Sequence, residues 1–518
     1  MGARLGGRGI LNAHTSCVNA LAFTNGEGQF LASGGDDLNI YLWDFYQEDV
    51  RAPIGSFVGP TGNILNLTFS ASNRYLFSGG INETIFQYDI SYLGSSRAQL
   101  SARHPDKTCS WHNARHCQKY LLSPKPRRSL PQREASITLK PPWQSLAYNT
   151  SSSEDGAIIR HDLRDNHPSQ AQNTLRLKSE VTGAQYHPNM EYIFLTSDQS
   201  GTVCLRDERM AFGPLSRRSQ EGIVQVYNTK LTRQGTAHLS NPEASSVTFD
   251  RDGSRFAVTM QNWYPTIYSV SDPNPIAMCT GENRPDGTPV PPGERTYCNA
   301  CTMKHGSFGG PGLDSDEFYT AGSDDFRGYV WRLPSTSELV SQRQEISSND
   351  WENQESTGSR LTGFTSGTRE IKYLPTAIST PLCRLTGHNS IVNSAVFHPH
   401  FLHVVTSGVE KCVVLHSPTP SSPCTQNLAA SPTEVRQLDI DGTLDRLTFH
   451  QALVGAFTTV GEPELEEDLS ERRTIRMFDH IIREEGNVDI FQERRWVDDE
   501  SSSDEVMNSD SSEDSIDL

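Results

Sequence analysis

Two acid–base pairs recur in this chain with the same spacing. Residues 161–164 read His-Asp-Leu-Arg and residues 206–209 read Arg-Asp-Glu-Arg, so Asp162 and Arg164 are matched 45 residues on by Asp207 and Arg209. A carboxylate two residues before a guanidinium can fix the fork through an ion pair. A fixed fork is preorganised for the carboxylates or main-chain carbonyls of a partner. One such pair arises often by chance, and an exposed pair adds little to stability, so the weight lies on the repetition. A second set, His14, Ser33 and Asp37, has the residue types of a nucleophilic triad. It recurs in part as His388 and Ser407, and recurrence points to scaffolding. Cys109, His112, His116 and Cys117 have ligand chemistry, but their spacing fits no common zinc finger. Cys298, Cys301 and His305 sit in a stretch, CNACTM, that alternates like a strand. The chain has no Gly-x-Ser-x-Gly, no His-Glu-x-x-His and no phosphate loop. The expectation is recognition without catalysis, metal or cofactor.

These residues must be held by something repetitive. Residues 11–45 run through strand alternation, a Gly turn, a short strand (LASGG), an acidic turn and IYLWD. The plan returns at 62–90, 151–165, 181–209, 244–270, 316–334 and 385–418, seven copies in all. Trp43 and Tyr88 stand 45 residues apart, as do His161 and Arg206. A period of about 40–45 residues ending in Trp-Asp is the signature of a WD-repeat β-propeller, one four-stranded blade per copy. One blade cannot bury both faces, whereas a ring lets each pack on its neighbour. The expected fold is therefore all-β, a seven-bladed WD-repeat propeller over residues 10–418. Within it, Asp37, His14, Ser33 and Trp43 would form a hydrogen-bonded tetrad that satisfies polar groups inside the strand stack. The last copy keeps His388 and Ser407, with His416 in the Trp place. The two Asp-x-Arg pairs would then lie on adjacent blades, at one rim.

The remainder reads as connections and ends. Residues 1–9 form a short N-terminal segment. Residues 91–145 carry PKPRRSLPQR and no alternation, so the third copy lacks its first strand. Disorder or a splicing artefact would explain that. Residues 272–296 (Pro/Gly-rich) and 335–380 (Ser/Thr/Glu/Gln-rich) read as loops or disorder. Residues 419–469 read as a linker and 470–485 as an amphipathic helix, with Ile475, Phe478, Ile481 and Ile482 on one face. That face either docks on the ring or receives a partner. Residues 486–518 form an acidic, Ser-rich tail, expected to be disordered; nine acids in 498–518 supply half of the formal net charge of −18. The acidity argues against direct nucleic-acid binding. No apolar run reaches the ~20 residues of a membrane span. Ten cysteines in 518 residues, mostly isolated in strand-like runs, suit a reducing compartment, nucleus and/or cytoplasm.

The paired boxes and the blades around them resemble a known family. The stretches HTSCVNALAFTNGEGQFLASGGDDLNIYLWD, EFYTAGSDDFRGYVWRLP, LTGHNSIVNSAVFHPHFLHVVTSGVEK and RTIRMFDHIIREEG are similar to the WD-repeat receptors of cullin-4 ubiquitin ligases, in particular their factor-five branch. The resemblance covers most of residues 10–485. It implies a substrate receptor that binds the damaged-DNA-binding adaptor through Asp162, Arg164, Asp207 and Arg209 and presents a protein substrate for ubiquitination. The family's box carries Trp before its Asp, where this chain has His161 and Arg206, and the family tends to carry a basic helical segment before its first blade, where nine residues precede Ile10 here. The other reading of the same fold is a general scaffold of a chromatin or other nuclear complex, without a ligase link.

Overall fold

The computed structural model describes residues 5–81, 84–91, 104–105, 107–110, 135–139, 148–153, 155–162, 171–236, 238–310, 316–353, 361–419, 428–454, 463–486 and 488–491. Seven of the eight sheets among them share one core order, a meander of four antiparallel strands in which each strand pairs with the next; two of the seven carry a fifth strand, Thr376–Ile378 or Ala429–Ala430. Blade one consists of Val18–Phe23, Phe30–Gly35, Ile40–Asp44 and Gly55–Phe57. Blade two consists of Ile64–Phe69, Tyr75–Gly80, Thr84–Asp89 and Lys107–Ser110. Blade three follows with Ala135–Leu139, Tyr148–Ser153, Ala157–Asp162 and Thr174–Arg176. Blade four has Val181–Tyr186, Ile193–Asp198, Val203–Asp207 and Ile223–Tyr227. Blade five has Ala244–Phe249, Arg255–Met260, Thr266–Ser269 and Pro275–Cys279, and blade six has Gly306–Gly309, Phe318–Gly322, Gly328–Arg332 and Cys383–Leu385. Blade seven has Val392–Phe397, Val404–Gly408 and Cys412–Ser417. The first strand of each blade packs on the first strand of the next, and Val392–Phe397 of blade seven packs on Val18–Phe23 of blade one, which closes the ring. Blade seven is completed by the chain's own start, because Gly7–Asn12 pairs with Cys412–Ser417. The ring thus begins at Gly7, inside the segment expected to precede it.

The strands follow from the sequence pattern. First strands alternate, as in VNALAF, while middle strands such as FLASGG are buried almost throughout. Glycine ends the middle strand for a packing reason. A Cβ on Gly35 would lie 1.9 Å from the Cys17 carbonyl oxygen, and one on Gly408 would lie 2.0 Å from that of Ile391. The core sits between blades. Leu31, Trp43 and Phe45 of blade one pack with Val405, Val413 and Leu415 of blade seven and with Leu11. Burying each such side chain stabilises the ring by about 1.5–3 kcal/mol.

Four expectations are corrected. Two described stretches within 91–145 belong to the blades: Lys107–Ser110 is the outer strand of blade two, and Ala135–Leu139 is the first strand that blade three had seemed to lack. Within 272–296, Pro275–Cys279 is the outer strand of blade five. Residues 335–380 are largely ordered. They hold helices Thr336–Gln342 and Ser348–Asn353 and most of the eighth sheet, because Leu339 packs with Ile276 and Trp331, Phe364 packs with Tyr227 and Tyr268, and Trp351 is buried, anchors that the polar composition hides. The stretch read as a linker contains a helix, Thr443–Leu453, and the helix expected from 470 begins at Pro463 and runs to Glu485.

That C-terminal helix lies on the ring. Ile482 is buried with Cys17, Phe326, Ile391 and Val409, with Phe478 beside them. The Arg436 guanidinium clamps Asp479 at 2.6 and 2.9 Å, and Arg483 pairs with Asp445. Val409 and Phe326 belong to turns between second and third strands, so the helix covers the rim opposite the third-strand ends. The acidic tail from residue 492 lies outside the described residues.

Candidate partner-binding rim

The buried polar network of blade one is the expected tetrad. His14 Nδ1 meets Asp37 at 2.9 Å, His14 Nε2 meets the Ser33 hydroxyl at 2.8 Å, and the Trp43 indole N–H donates to that hydroxyl at 2.9 Å. All four are packed inside the blade, so no group is left to attack a substrate. Blade seven repeats the network with other residues. His388 meets Glu410 and the Thr406 hydroxyl, each at 2.8 Å, and His416 meets the same hydroxyl at 2.9 Å. Ser407 is therefore not a member. Its hydroxyl is buried without a hydrogen-bond partner. Thr406, two residues before Gly408, aligns with Ser33, two before Gly35. Cys412 completes a metal-like trio with His388 and Glu410. The histidine and acid are already engaged with each other, and burial, helped by Glu410, pushes the Cys412 thiol up to about 12. We expect Thr406→Val to lower stability by about 1–3 kcal/mol, because the Nε2 atoms of His388 and His416 both lose their hydroxyl partner while His388 keeps Glu410, and Ser407→Ala to cost nothing measurable in thermal melting.

Burial of histidines makes acid sensitivity a second expected outcome. Burial pushes His398 and His416 down to about 3, and His305 and His403 down to about 4. Each is neutral in the fold and protonates near 6.5 when unfolded, so its contribution is present above pH 6.5 and lost as pH falls. Glu243 and Asp250, pushed up to about 6 by burial, act in the opposite sense and are fewer. The melting temperature should therefore drop between pH 7 and pH 5; a flat profile would contradict this.

The aspartates of the two Asp-x-Arg pairs stand at third-strand ends. Asp162 closes Ala157–Asp162 opposite Tyr148, and Asp207 closes Val203–Asp207 opposite Ile193, so both occupy the same end of adjacent blades. Asp207 Oδ1 accepts from the Arg209 main-chain N–H at 2.9 Å and from its Nε at 3.1 Å, while Oδ2 accepts from Nη2 at 2.7 Å. That grip holds the Asp207 carboxyl below the usual carboxylate range. The Asp207 side chain is 10% exposed and that of Arg209 is 65% exposed, with its guanidinium 4.8 Å from the Tyr192 ring centroid. The outcome is a rigid base and a presented fork. Arg164 lies outside the described residues, as does the side chain of Asp162.

Sequence reasoning missed how the neighbours support this clamp. Glu208, the middle residue of the box, is buried and meets Arg160 of blade three at 3.1 Å, which ties the two box-bearing blades together. The absent Trp is replaced functionally: the Arg206 Nε donates to the Thr196 hydroxyl at 3.0 Å, and His161 Nε2 meets the Ser151 hydroxyl at 2.6 Å, as Trp43 meets Ser33. The departure from Trp therefore leaves the internal bond of each blade intact.

One further expectation changes. Cys298 and Cys301 are not in a strand but precede Gly306–Gly309, and burial pushes the Cys298 thiol up to about 12. Asp324 stands in the turn between Phe318–Gly322 and Gly328–Arg332. It is fully buried, 2.6 Å from the equally buried Lys304, and accepts from the main-chain N–H groups of Ala300 and Cys301 at 2.6 and 3.1 Å. Cys109 has no described side chain, and His112, His116, Cys117 and the basic 124–133 stretch lie outside the described residues.

Comparison with known proteins agrees with this architecture. The family described as WD domain, G-beta repeat matches residues 8–44, 51–89 and 379–417. The first match starts in Gly7–Asn12, the strand that closes the ring. The "DDB1- and CUL4-associated factor 5" proteins of Homo sapiens and Mus musculus are each 26% identical over 425 residues, 81% of this chain and 34% of theirs. The chain thus spans about a third of the length of these curated relatives. It is a WD-repeat β-propeller protein similar to DDB1- and CUL4-associated factor 5.

Proposed function

We propose that this chain is a non-enzymatic substrate receptor of a cullin-4 ubiquitin ligase, which binds the adaptor DDB1 through Asp162, Arg164, Asp207 and Arg209. The observation that carries the reading is the Asp207–Arg209 clamp. A largely exposed guanidinium is fixed by three bonds to a nearly buried carboxylate. Its counterpart Asp162 occupies the same register on the next blade. Fixing the fork in advance lowers the conformational cost of engaging a partner. The relatives named for association with DDB1 and CUL4 support the choice of partner. The protein substrate is unassigned. Co-purification of DDB1 with the full-length chain, and its loss in Arg164→Ala/Arg209→Ala, tests the reading.

A further inference from the structure

The strand-end turn of the Asp207 box recurs on blade two without its arginine in sequence. Asp89 closes Thr84–Asp89, and its Oδ1 accepts from the Ser91 main-chain N–H at 2.9 Å, as Asp207 Oδ1 accepts from Arg209. Ser91 thus stands where the box would carry Arg. A guanidinium nevertheless reaches the carboxylate. Arg74, from the connection before Tyr75–Gly80, donates through Nε and Nη2 to Asp89 Oδ2 at 3.1 and 3.0 Å. The surroundings match those of Arg209. Arg74 lies 5.0 Å from the centroid of Tyr75, directly opposite Asp89, and its side chain is 57% exposed. Blade three, between the two, has Tyr148 opposite Asp162. In backbone register, each of three consecutive blades therefore has a tyrosine across from a strand-terminal aspartate or one residue beside its partner, and in blades two and four the ring lies beside the guanidinium.

We infer that Arg74, held by Asp89 over Tyr75, is a third guanidinium of the same partner-binding rim, so that the surface spans blades two to four and takes a partner face bearing carboxylates or main-chain carbonyls. This rests on the DDB1-binding reading above. The composition of the cluster separates it from other arginines. Arg51 also grips a carboxylate two residues away, Asp49, at 2.7 Å, but that acid is half exposed and lies in a loop beyond the strand end. Arginine's planar fork makes such presentation geometric as well as electrostatic.

The test is the affinity of purified full-length chain for purified DDB1, with thermal melting of each variant as the check on folding. Arg74→Ala is expected to bind about tenfold more weakly, in the range of one lost charge-assisted bond, with Arg51→Ala unchanged. Unaltered affinity in Arg74→Ala while Arg209→Ala weakens binding would overturn the third guanidinium and leave the two-box reading standing. Equal losses in Arg51→Ala and Arg74→Ala would also overturn it, since diffuse charge would then suffice. No binding by the unsubstituted chain would overturn the DDB1 reading and this inference with it.

Discussion

Replacing Arg209 by Ala is expected to weaken binding of DDB1 about thirtyfold or more, while the protein melts at an unchanged temperature. The two parts of this result have separate causes. Arg209 is mostly exposed, so its side chain contributes little to packing. Asp207 keeps the Arg209 main-chain N–H as donor after the substitution, because that bond does not use the side chain. Glu208 still meets Arg160, so the junction between blades three and four persists. Binding loses a preformed fork that no neighbour can replace. Arg209→Lys restores charge without the fork and should recover only part of the affinity. Salt sensitivity should fall in the Ala variant, because an exposed charge steers association. Equal affinity in Arg209→Ala and the unsubstituted chain would remove this residue from the interface.

The second large effect is on stability. Asp324→Asn should destabilise the ring by about 3–5 kcal/mol, because it leaves the fully buried Lys304 ammonium without its counter-charge. Lys304 Nζ would keep the Thr302 carbonyl and hydroxyl, at 2.9 and 2.6 Å, and at most a neutral amide oxygen in place of the carboxylate. Adding Lys304→Met should recover part of the loss, since removing both charges costs less than orphaning one. Thermal melting of the two variants decides the point: a double variant no more stable than Asp324→Asn alone would mean that the turn, not the charge pair, was lost.

The propeller was legible in the sequence wherever apolar alternation and a Gly-bounded middle strand occurred together, as in VNALAF and FLASGG. Blade three was legible only from its second strand onward. Ala135–Leu139 stands among proline and arginine, and its place is set by pairing with Tyr148–Ser153, not by a pattern of its own. Residues 335–380 misled because a few apolar anchors, Leu339, Trp351 and Phe364, suffice to order a polar segment against a large neighbour. The seventh-blade hydroxyl was misplaced by one residue because Thr406 and Ser407 are adjacent and chemically alike. Register, fixed by the close approach of Gly408 to Ile391, decides between them. The rim divides in the same way. The Asp-x-Arg pairs are local and could be read directly. Arg74 reaches Asp89 from fifteen residues earlier, across a strand pair, so no linear spacing reveals it. The support from Arg160 and Thr196 is likewise tertiary.

The proposed role makes the strand-end rim the ligase-facing surface and leaves the C-terminal helix on the other side, where Ile482 and Phe478 cover turns of blades one, six and seven. Partners of that opposite rim would therefore meet the helix as well as the blades. Affinity purification of the tagged full-length chain, with partners identified by mass spectrometry, tests the central claim most directly. The account predicts DDB1 and CUL4 with the unsubstituted chain and neither with Arg164→Ala/Arg209→Ala. Recovery of a different assembly without DDB1, or of DDB1 at equal yield from both forms, would contradict it.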